Sequence, residues 1–469
     1  MRVRLVSITE AAAARAAGAP ALTPEMLAAV GARYSRNDEG LEQILALVDR
    51  SDPDKAVDSI FRMVDYGHQS IADMTPVPMF MDGVSLWLIY HVWAYCLRAS
   101  GQESSTRYIR FDGASLVAPE LSGVPEELLP EWRTFIDGAL DRYRLAAAFW
   151  EAEALRDPDQ MRLPPSLLDE SSRDAGGKAA KMVARMRRNF VFDRARYWLP
   201  SAAVSNFMLL MAARDWVGLA QDLLSHPLPE ARHLGTMIGS QLGLSAPRLI
   251  RHAKETGDWV AGHAVEVAED AALAGLLQPV AERNRVATPV SVDLPCLPGM
   301  PPRGSLSGAL SHHPHRYSWV GREARRIHAR YGIDAVAFAE LRDLNRHRTG
   351  YKYAPFIPVG FYGARDQLVR DASADVLAEA VEFGLSAAER QRGLAASGDA
   401  SHPYWSLLGT QVPFEHGTSL DKMIYEIELR TGTGAHYRYA EHMRGVHDQL
   451  VEALPELSGR ILLGSAEPE

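Results

Sequence analysis

Apolar positions along the chain recur mostly at helical spacing. Residues 40–65 carry Leu41, Ile44, Leu45, Val48, Val57, Ile60 and Val64, a pattern that predicts an amphipathic helix broken near Ser51-Asp52-Pro53. Residues 84–98 are apolar on nearly every face, which predicts a buried central helix. Helical spacing also marks 126–155, 178–191, 318–332, 335–348, 373–395 and 417–430. Between them, Leu294 to Gly308 is rich in Pro and Gly and is the clearest linker. The order of features before and after this linker is similar, which suggests a weak internal repeat over about 1–250 and 285–469. The expected organisation is a domain at 1–250, a connecting helix and linker at 251–310, and a second domain at 311–469.

Composition narrows the function classes. The chain has 469 residues, 47% of them hydrophobic and 23% charged, as in ordinary globular proteins of two to three domains. A formal net charge of -9 without long runs of one sign argues against nonspecific nucleic-acid binding. Two cysteines, Cys96 and Cys296, are too few for a disulfide framework and show no metal-ligand spacing. The opening MRVRLVSITE lacks a signal-peptide apolar core, and the run Val84 to Leu97 is too short to span a bilayer. These features predict a cytoplasmic protein that does not enter a membrane.

Several segments carry candidate chemistry. Ser100-Gly101-Gln102-Glu103-Ser104-Ser105-Thr106-Arg107-Tyr108 groups hydroxyls, a carboxylate and an arginine after the buried helix. An arginine fork with hydroxyl donors suits phosphate, although a solvated Ser-rich turn has the same composition. Arg342-Asp343-Leu344-Asn345-Arg346-His347-Arg348-Thr349 follows a helical pattern, so Arg342 and Arg346 are expected as i,i+4 neighbours. Like charges so placed repel unless an anion lies between them; a basic helix C-terminus is the simpler alternative. Gly67-His68-Gln69-Ser70 precedes the buried helix and reads alone as a turn. His312, His313 and His315 flank the linker and can bind a metal, but a solvated loop explains them more simply.

Together these segments resemble the flavin-dependent thymidylate synthase (ThyX) family, whose signature runs R-H-R-x-x-S-x-N-E-x-S-x-R-Y. Tyr95 to Tyr108 aligns with it without a gap: Ser100, Glu103, Ser105, Arg107 and Tyr108 match, while Tyr95-Cys96-Leu97 replaces R-H-R. In the second half the retention reverses. Arg346-His347-Arg348-Thr349 matches the start, and Gly350 to Pro355 has lost the rest. Ala32-Arg33-Tyr34-Ser35, Gly67-His68-Gln69-Ser70, Ala195-Arg196-Tyr197-Trp198-Leu199-Pro200 and Ser225-His226 through Arg232 resemble flanking family motifs. Glu428-Leu429-Arg430 followed by Ala435-His436-Tyr437 resembles the closing region again.

The resemblance implies an α+β fold: two tandem ThyX-like domains, each a small antiparallel sheet flanked by helices around a central buried helix. It implies FAD as cofactor, with methylenetetrahydrofolate and NADPH as co-substrates, and transfer of a one-carbon unit to C5 of a pyrimidine nucleotide. Family enzymes are homotetramers with sites between subunits, so a fused chain implies a homodimer forming a pseudo-tetramer. By the same resemblance, Glu103, Ser105, Thr106, Arg107 and Arg196 come from the first half, and Asp343, Arg346 and Arg430 from the second, to hold the nucleotide. Arg346, Arg430, Ser105 and Arg107 are the residues expected to act on it directly. Ser35, His68, Ser70, Arg214, Arg346, His347 and Arg348 match flavin-side positions. The reciprocal site is expected to have decayed, with Asp222 or a neighbour where the family has its Leu-Arg arginine. Asp343 replaces a family Gln with an acceptor, which opens the possibility of a different pyrimidine. A relative that binds without turnover is the alternative reading.

Overall fold

The structure is a computed structural model, and it describes residues 1–6, 21–34, 41–52, 57–58, 70–96, 98–108, 111, 115–368 and 374–465. The chain is α+β. It enters on β1 (Arg2–Leu5), passes α1 (Pro24–Tyr34), and reaches β2 (Pro76–Ser85), which continues directly into α2 (Leu86–Tyr95). After β3 (Ser100–Glu103) come the long helices α3 (Leu129–Arg156) and α4 (Lys178–Ala195), then β4 (Val204–Ala212), which again runs directly into a helix, α5 (Ala213–Ser225). Helices α6 (Pro229–Ser245) and α7 (Gly257–Leu276) follow, then β5 (Ala281–Glu282) and β6 (Val290–Asp293). Next, β7 (His328–Ala337) enters α8 (Phe338–Leu344), and β8 (Tyr351–Tyr353), β9 (Gly360–Phe361) and α9 (Ala374–Ala396) follow. Finally β10 (Thr410–Ser419) enters α10 (Leu420–Thr431), and α11 (Tyr437–Ala453) closes the chain.

Contacts divide these elements into two units that interleave in sequence. The first unit holds 1–104, 115–124 and 202–268; the second holds 105–114, 125–201 and 269–469.

In the first unit an antiparallel sheet has the order β1-β2-β4-β3. Its central pair runs from Pro76 opposite Ala212 to Ser85 opposite Val204, with a bulge between Asp82 and Val84. Strand β4 buries alternate residues (Ser205, Phe207, Leu209, Met211), as one covered face requires. Helix α2 was expected over 84–98, but the strand persists through Ser85 and the helix occupies 86–95. Ser85 sets the junction: its Oγ accepts from the Leu88 N–H at 3.0 Å, while its own N–H donates to buried Glu230 at 2.9 Å. Leu86, Trp87, Leu88, Ile89, Val92 and Trp93 of this helix are all buried, each contributing about 1.5–3 kcal/mol on the transfer scale.

The second unit has a sheet of its own. Its sheet runs β5-β9-β10-β7-β6, with β8 also paired to β10. The long central pair, β7 with β10, spans Gln411 opposite Ala337 to Ser419 opposite His328, with a bulge between Val412 and Phe414. In both units each strand of the long central pair enters a helix directly, β2 and β4 in the first and β7 and β10 in the second.

One helical expectation fails here, and a second is displaced at its start. Residues 318–332 were expected to be helical, but only Arg322–Arg325 form a short helix, and from His328 the segment enters β7, where Ala329, Tyr331, Ile333 and Ala335 alternate inward. The period is two, and the pleated pairing with β10 captures it. Residues 417–430 likewise begin as strand through Ser419 before α10 starts. The 126–155, 178–191 and 373–395 patterns do form helices, at 129–156, 178–195 and 374–396. The break at Ser51-Asp52-Pro53 lies partly outside the described residues. The Pro/Gly linker is tied down in its second half, from Pro301 to Ser305. The Gly304 N–H donates to Glu323 at 2.9 Å, Arg326 donates to the Pro301 carbonyl at 2.7 Å, and Ser305 caps a short helix.

Beyond α8 the chain must turn sharply onto β10. Gly350 has φ of 70°, and a Cβ there would stand 1.9 Å from the Gly417 carbonyl oxygen. Both the left-handed backbone and the close approach demand glycine. Gly350→Ala is therefore expected to cost about 1–3 kcal/mol or more. Thermal unfolding reads this directly, and an unchanged midpoint would contradict the assignment.

Candidate functional site

Within the second unit, side chains from widely separated positions converge on Asp343 of α8. Arg196 stands in the turn after α4 and is 2% exposed; its Nη1 lies 3.7 Å from the Asp343 carboxylate. Arg430, near the end of α10, donates from Nη2 to the Asp343 carbonyl at 2.5 Å and from Nε to His347 Nε2 at 2.8 Å. Burial works to raise the Asp343 carboxyl, but Arg196, Arg430, Arg107 and Arg346 outweigh it and hold it below the usual range. Asp343 is thus an anion inside a ring of guanidinium groups.

Arg107 approaches from the turn after β3. Its fork grips Asp193 of α4 through Nε at 2.7 Å and Nη2 at 3.0 Å, and Nη1 donates to the Gly434 carbonyl at 2.9 Å. Ser105 Oγ accepts from the Arg107 N–H at 3.2 Å, and Thr106 is buried. Arg346 was expected on the same helical face as Arg342. Helix α8 ends at Leu344, so Arg346 stands in the following turn instead. Arg342 stays in the helix, where burial lowers its guanidinium to about 10. His347 is neutral: burial drives it down to about 3, and its Nε2 is the acceptor for Arg430. Arg348 is exposed.

Beneath this ring is a buried polar layer whose key member escaped the sequence reading. Glu340, one turn before Asp343 in α8, is fully buried. Tyr197 Oη donates to its Oε1 at 2.8 Å, and Arg196 Nη2 reaches the same oxygen at 3.5 Å. Burial pushes the Glu340 carboxyl up to about 7, against the lowering effect of Arg196 and the Tyr197 hydroxyl. Its Oε2 has no hydrogen-bond partner. His436 caps α11 by accepting the Arg438 N–H on Nδ1 at 3.2 Å, so Nε2 carries the proton and donates to the Asp193 carbonyl at 3.1 Å. Burial, then Arg196 and Arg107, keep this ring neutral. Below His347, Glu426 accepts from Tyr331 Oη at 2.8 Å and lies 3.0 Å from His416 Nδ1. Burial would raise Glu426, but His347 and His416 hold it down at about 2. Glu340 and Glu426 look in sequence like ordinary solvated helix residues. The available signal was a carboxylate three positions before Asp343 on a helix otherwise apolar at its start.

The remaining expected residues lie elsewhere. Glu103 ends β3 in the first unit, and Arg214 of α5 pairs there with Asp73 at 3.1 Å. Ser35 and His68 fall outside the described residues, and Ser70 opens a short helix at Ser70–Asp73. His313, weighed as a metal ligand, is buried against Glu428, with Nε2 2.9 Å from Oε1. Among the described residues no group of three His, Cys, Asp or Glu side chains is placed to hold a metal ion. None of the described helices is long and apolar enough to cross a membrane.

In the first unit, α2 and α5 hold a different set. Asp222 pairs with His91 Nε2 at 2.8 Å and lies 3.2 Å from His263 Nε2. Burial pulls His263 down, yet its contacts with Asp222 and Glu266 raise it to about 10. A carboxylate between imidazoles thus occupies the helices that correspond in element order to those bearing Asp343 and Arg430.

This combination of an antiparallel sheet with strand-to-helix junctions and a ring of arginines around a partly exposed carboxylate suits an anionic ligand. Residues 21–248 match the family model described as Thymidylate synthase complementing protein. That segment, a little under half of the chain, is similar to the ThyX family. Among solved structures, the chain is similar to the flavin-dependent thymidylate synthase ThyX from Helicobacter pylori complexed with FAD and dUMP. The identity is 16%, the coverage 50% of this chain and 96% of that chain, and the TM-score 0.28. A comparison with curated proteins found no match.

The Glu340 carboxyl, ordinarily at 4.5, sits near 7 in the fold, so the folded state holds the proton more tightly. Its contribution is present in full below 4.5 and is lost as pH rises through 7, a change of about 3 kcal/mol. His347 runs in the opposite sense, losing stability as pH falls below 6.5 towards 3. Comparing wild type with Glu340→Gln by denaturant unfolding across pH cancels that second effect. The variant should gain on wild type steadily between pH 5 and 7; parallel profiles would rule out a raised Glu340.

Proposed function

We propose that the protein is a flavin-dependent enzyme that transfers a one-carbon unit to C5 of a pyrimidine nucleotide, and that the second unit carries its one complete site. The observation behind this reading is the convergence of family-matching residues from distant positions. Arg107, Arg196, Arg346 and Arg430 all act on the single carboxylate of Asp343. The long antiparallel pair whose strands enter helices in each unit further supports a fused repeat with one site kept and the other remodelled. A homodimer forming a pseudo-tetramer follows from the same reading.

Within that site, Arg107 and Ser105 meet the nucleotide phosphate. Arg107 would then share its fork between the incoming anion and Asp193. Arg196 and Arg430 bracket the pyrimidine, with Asp343 as the acceptor that reads its edge. Arg196 fits this role because its Nε is buried without a partner. Arg346, His347 and Arg348 would hold FAD, since a cation-rich turn with a neutral imidazole suits an electron-rich ring. When bound, reduced FAD supplies the hydride, methylenetetrahydrofolate the carbon, and NADPH the reducing equivalents. The chain's own contribution is to bind, orient and exclude water, with Glu340 and Tyr197 able to hold a proton near neutral pH.

A second reading is a relative that binds flavin or nucleotide without turnover. It is favoured by the split signature, with Tyr95-Cys96-Leu97 in one half and Gly350 to Pro355 in the other departing from the family pattern. The purified protein should be yellow and should release tritium from 5-tritiated deoxyuridylate when given methylenetetrahydrofolate and reductant. Arg430→Ala should lower that release by about 100-fold or more, as expected for loss of a buried charged contact to substrate. Flavin binding without tritium release would move the assignment to another pyrimidine. A protein that cannot be reconstituted with FAD would favour the second reading.

A further inference from the structure

Arg107 also borders a cleft in the second unit that the proposed site does not use. The cleft has a volume of about 70 Å³, and its walls include Arg162, Arg194, Gln160, Asn189 and Tyr437. At about 30 Å³ per water, it has room for one small anionic group and no more.

Its floor is an unusual cation. Arg194 is 8% exposed, and its guanidinium lies 3.6 Å from the Phe190 ring centre and 4.5 Å from that of Tyr437. Nη1 donates to the Phe190 carbonyl at 3.2 Å, but Nε is buried without a partner. The adjacent carboxylate, Asp193, is committed to both arms of the Arg107 fork. Aromatic faces offset part of the cost of burying a guanidinium, but they cannot satisfy an N–H directed elsewhere. Burial, the largest influence on Arg194, pulls its guanidinium downward, consistent with an incompletely compensated charge.

The rim is set by a second departure from ordinary structure. Arg162 is an exposed non-glycine residue with φ of 54°, pinned by its N–H to the Asp159 carbonyl at 2.9 Å. A left-handed backbone at an arginine is a conformation that folding alone disfavours. It places a cation at the mouth of a cleft whose floor is already a cation. Arg107 is the third. Among the described residues, the charges lining the cleft are these three and Asp193, which Arg107 neutralises.

We propose that this cleft is a second phosphoryl subsite adjoining the Arg107 position, so that the preferred nucleotide is a pyrimidine nucleoside diphosphate rather than a monophosphate. The inference rests on the nucleotide reading above, but the subsite can be examined separately. Calorimetric titration of the FAD-loaded protein with dUMP, dUDP and inorganic pyrophosphate is the experiment. dUDP should bind at least about ten-fold more tightly than dUMP, and pyrophosphate should compete with dUDP. Arg162→Gln should abolish most of the preference while leaving dUMP affinity unchanged, and Arg162→Lys should restore part of it. Arg162 is exposed, so neither variant threatens the fold; Arg194→Gln is informative only alongside a native circular dichroism spectrum. Equal affinities for dUMP and dUDP, or an Arg162→Gln variant that weakens both alike, would overturn the subsite and leave Arg194 as a cation in an aromatic cage. If no nucleotide binds but pyrophosphate still does, dependent on Arg162, the nucleotide reading fails and the anion subsite survives.

Discussion

The second unit is organised around the cost of gathering guanidinium groups away from water. Arg196 and Arg342 are almost fully buried, and Arg107, Arg346 and Arg430 act on the same neighbourhood. Such a cluster is tolerable only with anions inside it. Asp343 provides one, held ionised by the arginines it neutralises. Asp193 provides another through the Arg107 fork. Glu340 lies deepest and is the least committed, its burial keeping it near the midpoint of titration. The neutral histidines follow from the same constraint. His347 and His436 each accept a hydrogen bond on one nitrogen, and a further positive charge at either position would add to the repulsion.

Much of this was readable in advance, and the limits have physical causes. The arginines and Asp343 stand in short segments that read alone as a solvated turn or a basic helix end, and their resemblance to family motifs is what singled them out. Helices at 129–156, 178–195 and 374–396 announce themselves by apolar spacing over several turns. What misled was the junction where strand becomes helix without a loop. At 328–344 an alternating run passes into a helical one with no Gly or Pro between Val336 and Phe338, so the strand's residues read as parts of the helical patterns at 318–332 and 335–348. Glu340 was invisible for another reason. A glutamate early in a helix is commonplace on surfaces, and only the tertiary partners Tyr197 and Arg196 make it exceptional. The joining of 125–201 to 269–469 in one unit likewise depends on long-range contacts that leave no local trace.

The contrast between the units is chemical more than architectural. Each has a long antiparallel pair whose strands lead into helices. In the second unit those helices carry Asp343 and Arg430; in the first they carry His91 and Asp222, joined by His263 from α7. A ring of cations around an acid has its counterpart in an acid between imidazoles, and each arrangement satisfies its own buried charge.

The direct passage of strand into helix, at Ser85, Ala212, Ala337 and Ser419, has a consequence for how such a chain can change over time. A residue on the first turns of one of these helices is positioned by the register of the sheet, with no slack between. Inserting or deleting one residue at the junction would rotate every following side chain by about 100° around the helix axis, as 3.6 residues per turn requires. Length is therefore frozen at these four places, and divergence is confined to swapping one side chain for another. A histidine where a relative carries an acid, or an aspartate where it carries an arginine, is the kind of history this geometry permits.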